Sequence, residues 1–281
     1  MHSLDPISQP ESVPSVDPAP LIGSDAPTPS INEPASAIDL LDAAFVVLFA
    51  VGALIFCSIV ARGILMVVYR TRHLSSDALI KAFSNNAFLQ VPTEAAAYAL
   101  LFGFTASLVW SRHRMGLFKA VGWNMPDRKG ILHALAAGAG MAIFSDVAEI
   151  VLQRWTPTSL PINEFFRDRP SAFLLAAFGI LVAPLMEELI FRGFLYPAIA
   201  RFTGVVPAII ITGVGFAFLH GTQLGYAWAP LLVLLVVGLA LTVARVLTKS
   251  VAACVLMHMA YNFTLFLQVY IGTQGFRHMQ D

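Results

Sequence analysis

Six polar side chains sit in stretches that are otherwise apolar, and their spacing is helical. In Pro184-Leu185-Met186-Glu187-Glu188-Leu189-Ile190-Phe191-Arg192, three charges interrupt a hydrophobic run. On a helix Glu188 and Arg192 are four apart with the acid N-terminal, the better orientation for an ion pair, whereas Glu187 is turned about 100° away. Glu188 with Arg192 therefore reads as an internal pair, and Glu187 as a carboxylate facing neighbouring helices without a local partner. Phe216 and His220 share one helical face, as do His258 and Asn262. A carboxylate in low-dielectric surroundings is a good general base toward water, and a neighbouring histidine can share the proton traffic. Glu187 and His220 suit that pairing, and His258 with Asn262 offers donors for a tetrahedral oxyanion. No serine or cysteine is comparably placed. The same residues allow a second assignment, with Glu187, His220 and His258 as ligands of a hydrolytic zinc whose bound water is acidified. The contiguous HExxH helix is absent, so a metal site would be assembled from separate segments.

Ionisable groups inside a membrane span cost roughly 2.5–3.5 kcal/mol each on insertion scales, so they need a partner, a water-filled cavity or a function. Glu94, His133, Asp146 and Glu149 fall nearer the ends of apolar segments, where interfacial placement accounts for them. Tyr69, Tyr98 and Trp110 sit near segment ends like interface anchors.

The elements that position these groups are membrane helices. Of the 281 residues 57% are hydrophobic and 12% charged, with a mean hydropathy of +0.74, against about 25% charged residues in soluble domains. The 17 basic and 17 acidic side chains cancel, so no basic surface speaks for nucleic acid. Cys57 and Cys254 lie in apolar runs without CxxC spacing and read as small buried hydrophobes. Windows of about 20 apolar residues place about seven spans, within a range of six to eight, at 41–69, 87–110, 130–152, 171–198, 204–220, 228–247 and 250–271. Their long, unalternating apolar runs exclude barrel strands, so the fold class is an all-α polytopic transmembrane bundle. Residues 1–40 are rich in Pro, Ser and acids and read as a disordered tail. Spans occupy 41–165, the polar motifs fall within 166–272, and a short C-terminal tail covers 273–281. The first basic residue is Arg62 and the first long apolar run begins near Leu41, so that run reads as a retained span rather than a cleaved signal. Basic residues are nearly balanced between the two sides, which leaves orientation open.

The motifs EExxxR (Glu187, Glu188, Arg192), FxxxH (Phe216, His220) and HxxxN (His258, Asn262), in this order, resemble the CPBP family of CAAX prenyl endopeptidase and bacteriocin-processing intramembrane proteases, also called Abi. The resemblance covers roughly residues 170–270. It implies a multi-pass membrane endopeptidase, in a cell membrane if the host is bacterial, in which Glu187 and His220 activate water and His258 and Asn262 form the oxyanion hole. Glu188, Arg192 and Phe216 would support them. Both zinc and metal-independent glutamate mechanisms have been put forward for that family, so the choice left open by the residues stays open. The implied partners are membrane lipid and a peptide or protein substrate, lipidated in some members. Two readings from other classes remain beside it. One is a non-catalytic scaffold or bacteriocin-immunity protein. The other is an ion-coupled carrier, against which stands the confinement of the polar residues to one half of the chain.

Overall fold

The computed structural model describes residues 37–70, 75, 77, 83, 86–166 and 168–277, without the side chains of Tyr69 and Arg70. The expected tail before residue 37, most of the first connection, Tyr69 as an anchor and the last four residues lie outside the described part. Within it, every regular element is helical. They include α1 (Leu40–Arg70), α2 (Ala87–His113), α3 (Arg128–Leu152), α4 (Arg169–Leu181), α5 (Ala183–Glu188), a π-helical stretch (Leu189–Leu195), α6 (Tyr196–Thr203), α7 (Val205–Leu219), α8 (Trp228–Thr248) and α9 (Val251–Gly272).

Helix starts follow local capping chemistry. Asn86 accepts a hydrogen bond from the Phe88 N–H (2.9 Å), Asp127 from Gly130 (2.8 Å), Asp168 from Ser171 (2.9 Å) and Ser250 from Ala253 (3.1 Å). Each cap satisfies one of the free donors of a first turn. Asp168 is followed by Pro170, whose fixed φ suits the beginning of α4.

Six segments are long and apolar enough to cross a membrane: Leu40–Val68, Ala87–His113, Arg128–Trp155, Arg169–Thr203, Trp228–Thr248 and Val251–Gly272. The chain is therefore a multi-pass integral membrane protein. The expected span at 204–220 is corrected. It is α7, 15 residues long, about 22 Å against a hydrocarbon core of about 30 Å. Gly204, at φ 86°, separates it from α6, and its far end turns at His220, whose N–H reaches back to Ala217 and Phe218. Polar and turn-forming residues flank it on both sides, Arg201, Thr203 and Gly204 before it and His220, Gly221, Thr222 and Gln223 after it. Leu48, Ile55, Ile59 and Val67 of α1 face outward, as a lipid-contacting helix requires. Trp110 is also exposed, as an interface anchor would be, but Tyr98 is buried and its ring stacks on Phe178 at 5.9 Å. Cys57 and Cys254 are free and buried, as expected.

α9 is the most buried of the spans and runs closest to α3, with α4 and α8 on its other sides. The α3–α9 crossing depends on Gly138: a Cβ there would stand 2.1 Å from the Met257 carbonyl oxygen and 2.8 Å from Ala260 Cβ. Gly138→Ala is accordingly expected to cost about 1–3 kcal/mol by overpacking, read as a fall of several degrees in the melting temperature of the purified protein in detergent. An unchanged melting temperature would contradict this close approach. At the N-terminal side, Asp42 of α1 is fully buried and ion-paired with Arg112 Nε (2.6 Å) and His113 Nε2 (2.8 Å), which ties α1 to the end of α2.

Candidate active site

The broken helix α5–π–α6 positions the acids. Pro184 lies at the start of α5, and after Glu188 the backbone widens into the π-helical stretch, closed by the Tyr196 N–H bonded to the Phe191 carbonyl. Such π segments recur at functional sites because they displace side chains from the ordinary helical register. Glu188 and Arg192 have no solvent exposure and pair at 2.9 Å (Oε1 to Nη1). Arg192 Nη2 also donates to the Gly238 carbonyl of α8 (2.7 Å). That carbonyl is reachable because α7 and α8 cross at glycines: a Cβ on Gly238 would meet the Gly213 carbonyl oxygen at 3.0 Å.

The pair extends to α9. His258 Nδ1 lies 2.9 Å from Glu188 Oε1, and an ionised carboxylate only accepts, so Nδ1 carries the hydrogen and donates it. His220 Nδ1 lies 3.0 Å from the Phe216 carbonyl, which likewise requires an Nδ1–H donor. Both rings therefore turn Nε2 the other way, toward Glu187. Glu187 Oε2 is 4.0 Å from His220 Nε2 and 3.9 Å from His258 Nε2. These separations exceed a direct hydrogen bond and suit one bridging water. Phe216 is wedged among them, its ring 4.9 Å from that of His220, 5.7 Å from that of His258 and 5.4 Å from that of Phe191. Arg192 Cζ lies 4.8 Å above the Phe216 ring, a cation–π contact. Asn262, one turn beyond His258, donates from Nδ2 to the Gly179 carbonyl (2.7 Å), which leaves its second amide hydrogen available.

Glu187, Phe216, His220, His258 and Asn262 all line one cavity of about 800 Å³, within the size range of ligand pockets. The structure thus brings together every candidate residue from the three motifs. Glu188 and Arg192 stand behind the cavity wall rather than on it. Three of the acids expected at the membrane interface, Glu94 of α2 and Asp146 and Glu149 of α3, line this same cavity. Asp146 and Glu149 are three apart and so share a helical face, the one signal in the sequence that pointed beyond the interface. His133 stays exposed and away from the cavity.

Glu187, His220 and His258 form a donor set that a hydrolytic zinc could use. Ligands at about 2.0–2.1 Å in a tetrahedral site stand roughly 3.3 Å apart, closer than the 3.9 and 4.0 Å found here. Among the described residues no three such groups are placed to hold an ion. The set as it stands does not fit zinc.

Comparison with curated proteins and with solved structures returned no match for the chain. The three motifs and the walls they build nevertheless fall within residues 169–264, and that segment matches the family of type II CAAX prenyl endopeptidase Rce1-like proteins, in agreement with the resemblance carried by EExxxR, FxxxH and HxxxN.

Proposed function

We propose that this protein is an intramembrane endopeptidase that hydrolyses a peptide bond of a membrane-associated or lipidated substrate. The observation that carries the reading is the convergence of Glu187 Oε2 with the Nε2 atoms of His220 and His258 at a cavity wall, at water-bridging distance. A water held between Glu187 and His220 is oriented by both. Glu187 takes one of its protons as the oxygen attacks the peptide carbonyl carbon. The developing oxyanion is met by the free Asn262 amide hydrogen and by His258, which donates from Nε2 when its ring carries a second proton. Collapse of the tetrahedral species breaks the C–N bond, and the proton held by Glu187 passes to the departing amine. Products are a new carboxylate and a new amine. Glu188 and Arg192 act through His258, fixing its tautomer and ring plane. The family match supports the reaction class, and the spacing of the three groups supports direct water activation over zinc.

His220→Ala is expected to lower kcat/KM about 10²- to 10⁴-fold, the usual worth of a positioned acid or base. Cleavage by the wild type should persist when the protein is purified and assayed with a strong chelator. Full activity in His220→Ala would remove the water-holding role. Loss of wild-type activity in chelator, restored by zinc, would transfer the three groups to a metal.

A further inference from the structure

The walls of the cavity differ sharply in charge. Glu94 from α2, Asp146 and Glu149 from α3, and Glu164 from the connection to α4 line it beside Glu187, whereas among the described residues no Lys or Arg does. Glu94, Asp146 and Glu149 are not ion-paired with a described Lys or Arg, and Glu94 shares a hydrogen bond with the Tyr98 hydroxyl. Asp146 Oδ2 accepts only a neutral donor, Gln268 Nε2, at 2.5 Å. A cavity lined by charge of one sign, with no basic side chain on it, concentrates ions of the opposite sign, so these acids favour a cation. Apolar side chains, among them Val233, Leu234, Leu265 and Phe266, make up much of the remaining lining.

A second, independent observation marks the cavity as a ligand site. Glu187 is 7% exposed and His258 3%, yet neither the Glu187 carboxylate nor His258 Nε2 makes a hydrogen bond, their closest approach being the 3.9 Å between them. Both polar groups are turned into the cavity, and buried polar groups are normally satisfied. The acidic wall adjoins them: Ser145, next to Asp146, hydrogen-bonds Tyr261 (3.3 Å), so α3 meets α9 beside Asn262. Glu94, Asp146 and Glu149 lie outside the segment that matches the family, so they belong to this chain's own N-terminal helices.

We infer that the wall formed by Glu94, Asp146 and Glu149 selects peptide substrates that carry a Lys or Arg side chain within a few residues of the scissile bond, in an otherwise apolar segment. The inference rests on the peptidase reading for the position of that bond, but the preference for a cation follows from the wall alone.

The test uses the full chain purified in detergent and quenched-fluorescent peptides of one apolar sequence, with Lys scanned through the positions on either side of its centre. Gln and Glu replace Lys in matched peptides. The best Lys peptide is expected to exceed its Gln counterpart about tenfold in kcat/KM, with the Glu peptide below both. That Lys-to-Gln ratio should fall about threefold in Glu149→Gln, a change at an exposed position that the fold tolerates. It should fall further in Glu149→Gln with Asp146→Asn, and Glu149→Lys should move the preference toward the Glu peptide. Equal cleavage of Lys and Gln peptides overturns the inference, as does a preference that all three acid substitutions leave intact. Anisotropy of labelled peptides bound to Glu187→Gln separates this inference from the peptidase reading. Charge-selective binding without cleavage by the wild type would sink the peptidase reading and keep the cationic site. Cleavage without charge preference does the reverse, and absence of both charge-selective binding and cleavage overturns the two together.

Discussion

Arg192→Ala is expected to destabilise the protein by about 3–5 kcal/mol, because it leaves the Glu188 carboxylate buried without its cation. Glu188 and Arg192 are both fully buried, so water cannot take the place of the missing partner. Arg192 also donates to the Gly238 carbonyl, and its own carbonyl accepts from Arg245 Nε at 3.2 Å. Loss of the side chain removes the bond to Gly238 as well as the pair, while the backbone carbonyl can still accept from Arg245. Glu188→Gln removes the charge from the other end and weakens the hold on His258, whose Nδ1–H it receives. Both variants should accumulate poorly and melt well below the wild type, with activity falling alongside. Normal accumulation and an unchanged melting temperature in both would contradict the buried pair.

Glu187→Gln should give the opposite pattern: a loss of at least about 10³-fold in kcat/KM with the fold intact. The amide is close to isosteric with the carboxylate, and Glu187 makes no hydrogen bond whose loss would orphan a partner; the histidine nitrogens beside it are 3.9 and 4.0 Å away. What disappears is the capacity to take a proton from water. The contrast between adjacent positions is the informative part, since Glu187→Gln should stop chemistry and Glu188→Gln should first damage the fold. Expression level, elution as a single species from size exclusion and melting temperature separate the two effects.

The division of labour between Glu187 and Glu188 is legible in the sequence because it depends only on helical spacing: Arg192 is four residues from Glu188 and on the wrong face for Glu187. The all-helical membrane class is legible from long apolar runs. The bond from His258 to Glu188 spans 70 residues in sequence, and no local pattern encodes it. The π-helical stretch is invisible to a 3.6-residue periodicity, because apart from Arg192 and Gly193 its residues are uniformly apolar. The limits of α7 are marked in the sequence by Gly204 and His220, and only its length of 15 residues sets it apart from the spans. The place of Glu94, Asp146 and Glu149 on the cavity is not legible in the sequence, because a polar residue near a span end looks alike whether it meets headgroups or a cavity. Only the packing of α2 and α3 around α9 tells the two apart, and that information lies in tertiary contacts.

The central claim is that Glu187 activates water for peptide hydrolysis. The most direct test is cleavage of a quenched-fluorescent peptide library by the purified protein in detergent, with wild type and Glu187→Gln compared in the presence and absence of a chelator. Cleavage by the wild type in both conditions and none by Glu187→Gln is the expected result. Cleavage by Glu187→Gln at the wild-type rate would contradict it.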